Sequence, residues 1–244
     1  MNSTVEAEQL PINWPALIET VLLFLTGVLL LSKALRGVLA FYIHPRYTTL
    51  VIIAAVVLIG IGLSRMRAVF TERPEPLRGR GTVYALLLIP ILFGTLIPAQ
   101  PLGSDTLMSR VTLGSTLGGV QRGDLPSDDT ASWSLLDWAI ATSTDRTPVL
   151  GSPVRVEGFV FQPNAADATG VYVARYVVSC CAADASGVGL PLIGAGALSL
   201  SNDSWIRVEG ELAQTTIGGT QQPAILVRSV TPISQPGNPY LYPR

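Results

Sequence analysis

Three apolar runs in the first hundred residues constrain this chain more than any other feature. A bilayer core about 30 Å thick needs roughly 20 apolar residues of helix at 1.5 Å each. Residues 14–31 supply one such stretch, interrupted only by Glu19, Thr20, Thr26 and Gly27 among strongly apolar neighbours. Residues 48–66 supply a second, rich in Val, Ile and Ala. Residues 82–98 are the third and shortest, with Pro90 in the interior. That proline removes one backbone donor and predicts a kink, which is tolerated where a neighbouring helix meets the freed carbonyl. Glu19 lies one turn into the first run, within reach of the interface or of a partner helix. The first run has neither the basic start nor the small-residue cleavage site of a signal peptide, so it is expected to stay attached.

Only 14% of the 244 residues are charged, against about 25% in soluble domains. The shortfall lies before Ala99, and the composition turns ordinary and polar after residues 98–101. Residues 1–100 carry eight Lys or Arg and five Asp or Glu, a net of +3; residues 101–244 carry eight and twelve, a net of −4. An acidic second part argues against nucleic acid as a partner, because phosphate neutralisation needs clustered cations. The single lysine, Lys33, leaves no Lys-rich tail for anionic lipid.

The expected organisation is a transmembrane module over residues 1–100, a stalk with a short helix over 101–151, and a soluble β domain over 152–244. Arg65, Arg67, Arg73, Arg78 and Arg80 fall between the second and third runs. Lys33, Arg36, Arg46 and Arg110 fall on the other side of the bilayer. The positive-inside rule then places the five-arginine loop in the cytoplasm and residues 101–244 outside. Within the stalk, residues 132–142 read as a helix capped by Ser132, with Trp133, Leu136 and Ile140 on one face. Trp133 and Trp138 suit a membrane interface, but the polar face is not basic, which favours packing on the domain.

From Pro153 the pattern changes to short strand signals separated by turn residues, at 154–160, 171–178, 188–193, 205–212 and 224–230. Five short strands predict a small all-β domain, an OB-like five-stranded barrel, with a small sandwich as the alternative. Gly158 and Gly210 are placed to supply the sharp bends such a barrel needs.

The candidate chemistry is sparse. Cys180 and Cys181 are the only cysteines; they form no CxxC pair and do not fix a redox compartment. With Asp184 they lie in a loop after a strand, and two thiolates with a carboxylate can bind a soft or borderline metal ion. A strained, reducible disulfide between neighbours is a second possibility. The plainest reading is two small buried hydrophobes and a turn-capping carboxylate. Adjacent strand residues point to opposite faces, so a shared ligand requires a bend. His44, the single histidine, reads as an interfacial anchor or partner contact. One histidine makes a poor start on a four-ligand zinc site. No GxSxG, HExxH or phosphate-binding loop is present, and the expectation is that the chain is not an enzyme.

Several motifs occur in order along the chain: Tyr42-Ile43-His44-Pro45-Arg46, Glu157-Gly158-Phe159-Val160, and Ala174-Arg175-Tyr176 running on to Ser179-Cys180-Cys181-Ala182-Ala183-Asp184-Ala185. Trp205-Ile206-Arg207-Val208-Glu209-Gly210 and Pro239-Tyr240-Leu241-Tyr242 follow. On these the sequence resembles the small subunit of a bacterial two-component permease family, the YcgQ-type membrane proteins with a C-terminal β domain. The resemblance implies a non-catalytic, multi-pass accessory subunit of the cell membrane that works with a larger multi-span permease. It makes Cys181 and Asp184 the first positions to test and Cys180 the next, with His44, Arg46 and Arg175 as further candidates. Where some relatives carry a His-rich stretch, residues 67–81 hold no His or Cys, which removes support for metal handling in that loop. The alternative is a membrane-tethered metal- or thiol-redox-binding module using Cys180 and Cys181.

Overall fold

A computed structural model of the chain describes residues 12–71, 79–110, 129–143, 150–163, 170–194, 200–217 and 219–243. They form two compact units. One comprises residues up to Leu39 together with Pro45–Ala99; the other comprises Ala40–His44 together with Gln100–Arg244.

The first unit is helical. Helix α1 (Trp14–Leu35) begins at Asn13, whose side chain accepts from the Ala16 N–H, and carries Pro15 in its first turn. Helix α2 (Thr48–Arg65) is followed by a short α3 (Ala68–Thr71), and α4 runs from Gly81 to Leu96. Among the described residues, two stretches are long and apolar enough to cross a membrane, Trp14–Leu35 and Pro45–Thr71. Helix α4 is apolar but has 16 residues, about 24 Å at 1.5 Å per residue. It stops earlier than its apolar run because Ile97 is extended before Pro98, and a residue that precedes proline is forced out of the helical region.

Small residues let α1 and α2 touch. A Cβ on Gly27 would sit 2.7 Å from Ile59 Cγ1 and 2.8 Å from the Ala55 carbonyl oxygen; one on Gly62 would sit 3.2 Å from the Phe24 nitrogen. These pairings run in opposite senses, so the helices are antiparallel. Such close approach through small residues is how helices associate when no water drives them together. Replacing Gly27 by leucine is expected to weaken the α1–α2 pair by about 1–3 kcal/mol, read as a lower thermal midpoint in detergent. At one end of the unit Glu19 gathers all three long helices. Its carboxylate lies 3.3 Å from Arg65 of α2 and 3.9 Å from Arg80 beside α4, and accepts from the Tyr84 hydroxyl of α4 at 2.9 Å.

The second unit is a closed five-stranded barrel: β1 (Pro153–Phe161), β2 (Val171–Val177), β3 (Ser186–Ile193), β4 (Trp205–Ile217) and β5 (Thr220–Pro232), in the order β1-β2-β3-β5-β4. Its pairs are antiparallel except β3–β5. Closure excludes the sandwich. The last two strands are longer than their apolar signals, because polar residues such as Gln214, Thr215, Thr216, Gln221 and Gln222 continue the β4–β5 hairpin by pairing, with Ile217 packed on the outer cluster.

Strand alternation puts two sets of side chains to use. Val154, Val156, Val160, Val173, Val208, Leu212 and Ile225 fill the interior. Phe159, Phe161, Tyr172, Ala174 and Tyr176 form a second, outer cluster, covered by Leu107 of helix α5 (Ser104–Arg110) and by Tyr240 near the end of the chain. Helix α6 (Leu135–Ser143) packs Leu135, Leu136 and Trp138 onto the interior cluster, together with Trp133. Burial of both tryptophans settles that helix as a packed one.

The expected stalk needs correction. Its described residues, 101–110, 129–143 and 150–151, belong to the barrel's unit, with Leu107 and helix α6 packed on the barrel; residues 111–128 and 144–149 of the expected stalk lie outside the described residues, as does most of its Gly/Ser/Asp-rich stretch. The helix cap is also shifted. Ser134, not Ser132, accepts from the Asp137 N–H, and Asp137 Oδ2 accepts from the Ser134 N–H at 2.8 Å and from its hydroxyl at 2.7 Å. Trp133 consequently precedes the helix.

Candidate functional site

Strand β2 runs out at Val177, the buried Val178 anchors the chain, and the backbone then bends at Ser179 and Cys180. Cys181 is extended and caps a single 3-10 turn, Ala182–Asp184. The bend gives the two cysteines a common side, which a regular strand denies them. Their sulfurs are 3.6 Å apart and both are free thiols. Cys180 is exposed and Cys181 half-buried. The side-chain donor atoms of Cys180, Cys181 and Asp184 all lie within 4.8 Å of one another.

Asp184 builds this turn. Its Oδ1 accepts from the Ser179 N–H at 3.0 Å, and its Oδ2 from the N–H of Cys180 at 2.7 Å and of Cys181 at 3.4 Å. Desolvation works against the charged carboxylate. The Cys180 side chain and the three backbone donors outweigh it and hold Asp184 below the usual carboxylate range. The consequence falls on the neighbour. Hydrogen bonding to Asp184, then to Cys181, with some desolvation and the nearby negative charge, pushes the Cys180 thiol up to about 11. A thiol kept protonated is a poor nucleophile. Site-resolved alkylation of Cys180 should therefore keep accelerating toward pH 11, where an ordinary cysteine levels off near its pKa of about 8.5. Asp184→Asn should move that limb down. A plateau near the ordinary value in the wild type would show that the carboxylate does not control the thiol.

The segment before α2 completes the site's backbone. Ile43 pairs with Cys181 as an isolated antiparallel bridge; the His44 N–H donates to the Cys180 carbonyl at 3.0 Å, and the Ala182 N–H to the Tyr42 carbonyl at 2.8 Å. The Tyr240 hydroxyl donates to the Phe41 carbonyl at 3.0 Å. Residues 40–44 are thus stitched to the barrel although they lie between two apolar runs. The His44 ring packs 4.2 Å from Tyr242, whose hydroxyl donates to Asn238 Oδ1 at 2.6 Å. Burial, then Tyr240, raise the Tyr242 hydroxyl to about 12 against the opposing pull of Arg175 and Asn238.

The other candidates part company here. Arg175 secures the tail: its Nε donates to the Pro239 carbonyl at 3.0 Å and its Nη2 to the Asn238 carbonyl at 2.7 Å, with the guanidinium 5.5 Å from the Trp205 ring centroid. Desolvation lowers its pKa, partly offset by Glu157 and Tyr242. Arg46 belongs to the helical unit, its guanidinium 4.8 Å from the centre of the Tyr47 ring. Composition alone did not single out residues 40–43 or Tyr240, which act through backbone bonds and one hydroxyl; Tyr42, Ile43 and Tyr240 were signalled only by their place in the motifs of the resemblance, and residues 40 and 41 by nothing.

Residues 138–243 match the family model described as DUF1980 C-terminal domain. That range holds most of α6, the five strands and the Cys180–Asp184 turn. The chain is also similar to the UPF0703 protein YcgQ of Bacillus subtilis (strain 168), 26% identical over 95 residues, which is 38% of this chain and 33% of the relative. The match spans about a third of that relative's length. These two findings support the YcgQ-type resemblance. No solved structure matches the chain.

Proposed function

We propose that the chain is a membrane-anchored, non-catalytic accessory subunit of a larger multi-span permease, whose β domain assists or regulates that partner. The observation that carries this reading is the outer surface of the helical unit. Among the described residues, only Ala55 and Gly62 of α2 and only Ile91 of α4 are buried. Leu50, Ile53, Val56, Leu86, Phe93 and Leu96 are among the large apolar side chains left exposed. An exposed patch of that extent calls for lipid or for other helices.

Chain connectivity supports three crossings. The polypeptide leaves the barrel unit after His44 and rejoins it at Gln100. If α2 crosses the bilayer once, α4 has to bring the chain back. A 16-residue helix can do so with local thinning and flanking residues that reach the interface. Arginines between the second and third apolar runs favour a cytoplasmic loop there and an extracytoplasmic barrel. The strand order, with β3 and β5 parallel, supports an OB-like description of the barrel. Extraction in mild detergent should bring a polytopic permease down with the tagged chain. A fully stable protein that purifies alone, and supports growth and transport without any such gene, would refute the accessory role.

A second reading, a tethered metal- or thiol-redox-binding module, is favoured by the grouping of Cys180, Cys181 and Asp184 donors within 4.8 Å. It expects metal binding or a reversible thiol titration that Cys181→Ser abolishes.

A further inference from the structure

We propose that Cys180, Cys181 and Asp184 form a three-donor site for a thiophilic cation of the zinc(II) or copper(I) class, with one coordination position open for exchange. The inference rests on the second reading above and decides between its two branches. In a tetrahedral site with metal–sulfur bonds of about 2.3 Å, two sulfurs stand roughly 3.8 Å apart. Here they stand 3.6 Å apart. Adding the carboxylate keeps every donor within 4.8 Å of the others, which puts all three within reach of one ion.

The backbone is already fixed for this. Asp184 gathers the N–H groups of Ser179, Cys180 and Cys181, while residues 42–44 hold the carbonyl of Cys180 and the N–H of Ala182 from the other direction. Thiolates select soft and borderline ions, whereas magnesium and calcium want oxygen ligands throughout. Closed structural zinc sites have four protein ligands; three leave a place for an outside donor. Cys180 is exposed, so that place is reachable. Such a site suits an ion that is taken up and passed on. Binding of a divalent ion replaces two S–H bonds by two metal–sulfur bonds and releases two protons, with Asp184 already ionised.

The test uses the full-length protein in detergent, titrated with zinc(II) alone and with copper(I) alone, each against a competing chelator, and with cobalt(II) as a coloured substitute for zinc. The expected result is one zinc per chain, about two protons released per ion, and sulfur-to-cobalt charge-transfer absorption. Cys180→Ser should weaken binding by at least about tenfold with an unchanged circular dichroism spectrum; being exposed, that side chain can change without disturbing the turn. Cys181→Ser provides the second variant. No zinc or copper(I) retained by the wild type, or wild-type affinity in both serine variants, overturns the proposal. Reversible loss of two thiols per chain under mild oxidant, in a protein that retains no metal, also overturns it while leaving the thiol-redox branch standing. If neither metal nor oxidant acts on the pair, the whole second reading falls with it.

Discussion

Gly210→Val should destroy the barrel's closure, with a loss of about 3 kcal/mol of stability and a largely insoluble product. Gly210 lies in β4 at the register shift between Glu209 and Gly210, where the strand bends against β5. A Cβ there would collide with the backbone oxygen of Leu226 and come within 2.9 Å of Ile225 Cγ2. Neither neighbour can yield: one is main chain in the facing strand, and the other is a fully buried side chain. Gly158 is the same device in β1, where a Cβ would stand 2.5 Å from the Ala174 carbonyl oxygen. Denaturant unfolding followed by tryptophan fluorescence gives the number. A midpoint unchanged from wild type would mean that the β4–β5 approach is looser than described.

The second large effect is at Trp138. Its side chain is fully buried in the interior cluster, with ring centroids 4.9 Å from Trp133 in an edge-on arrangement. Truncation to alanine should cost about 3–5 kcal/mol, the range for deleting a large aromatic from a packed core. The indole N–H has no hydrogen-bond partner among the described residues. Because an unpaired buried donor is itself unfavourable, Trp138→Phe should cost much less than Trp138→Ala. If the two substitutions cost the same, the indole N–H is paired and the packing account of α6 is wrong.

Much of the barrel was legible in the sequence because each strand buries alternate residues, so period-two patterns such as Val154-x-Val156 mark it directly. The lengths of β4 and β5 were not, since polar ends such as Thr215 and Gln222 are held by pairing with each other. The stalk was misjudged for a related reason. Leu107 stands with Met108 in a short stretch that has no regular apolar spacing, yet it is completely buried in the cluster of Phe159, Tyr176 and Tyr240. Burial decided by residues more than fifty positions away leaves no local periodicity to find.

At the candidate site, residue chemistry and spacing identified Cys180, Cys181 and Asp184 as a group, and the anticipated bend is present. The backbone bonds from residues 42–44 had no counterpart in residue type, because main-chain pairing carries no side-chain signature. Arg175 was a candidate only through the motifs of the resemblance, and its job is to hold two carbonyls of the tail.

Membrane residence of the full-length chain is the claim on which the rest depends, and fractionation tests it most directly. After cell lysis and an alkaline wash, the protein should pellet with the membranes and enter solution only when detergent is added. Recovery in the high-speed supernatant, folded and without detergent, would contradict the account.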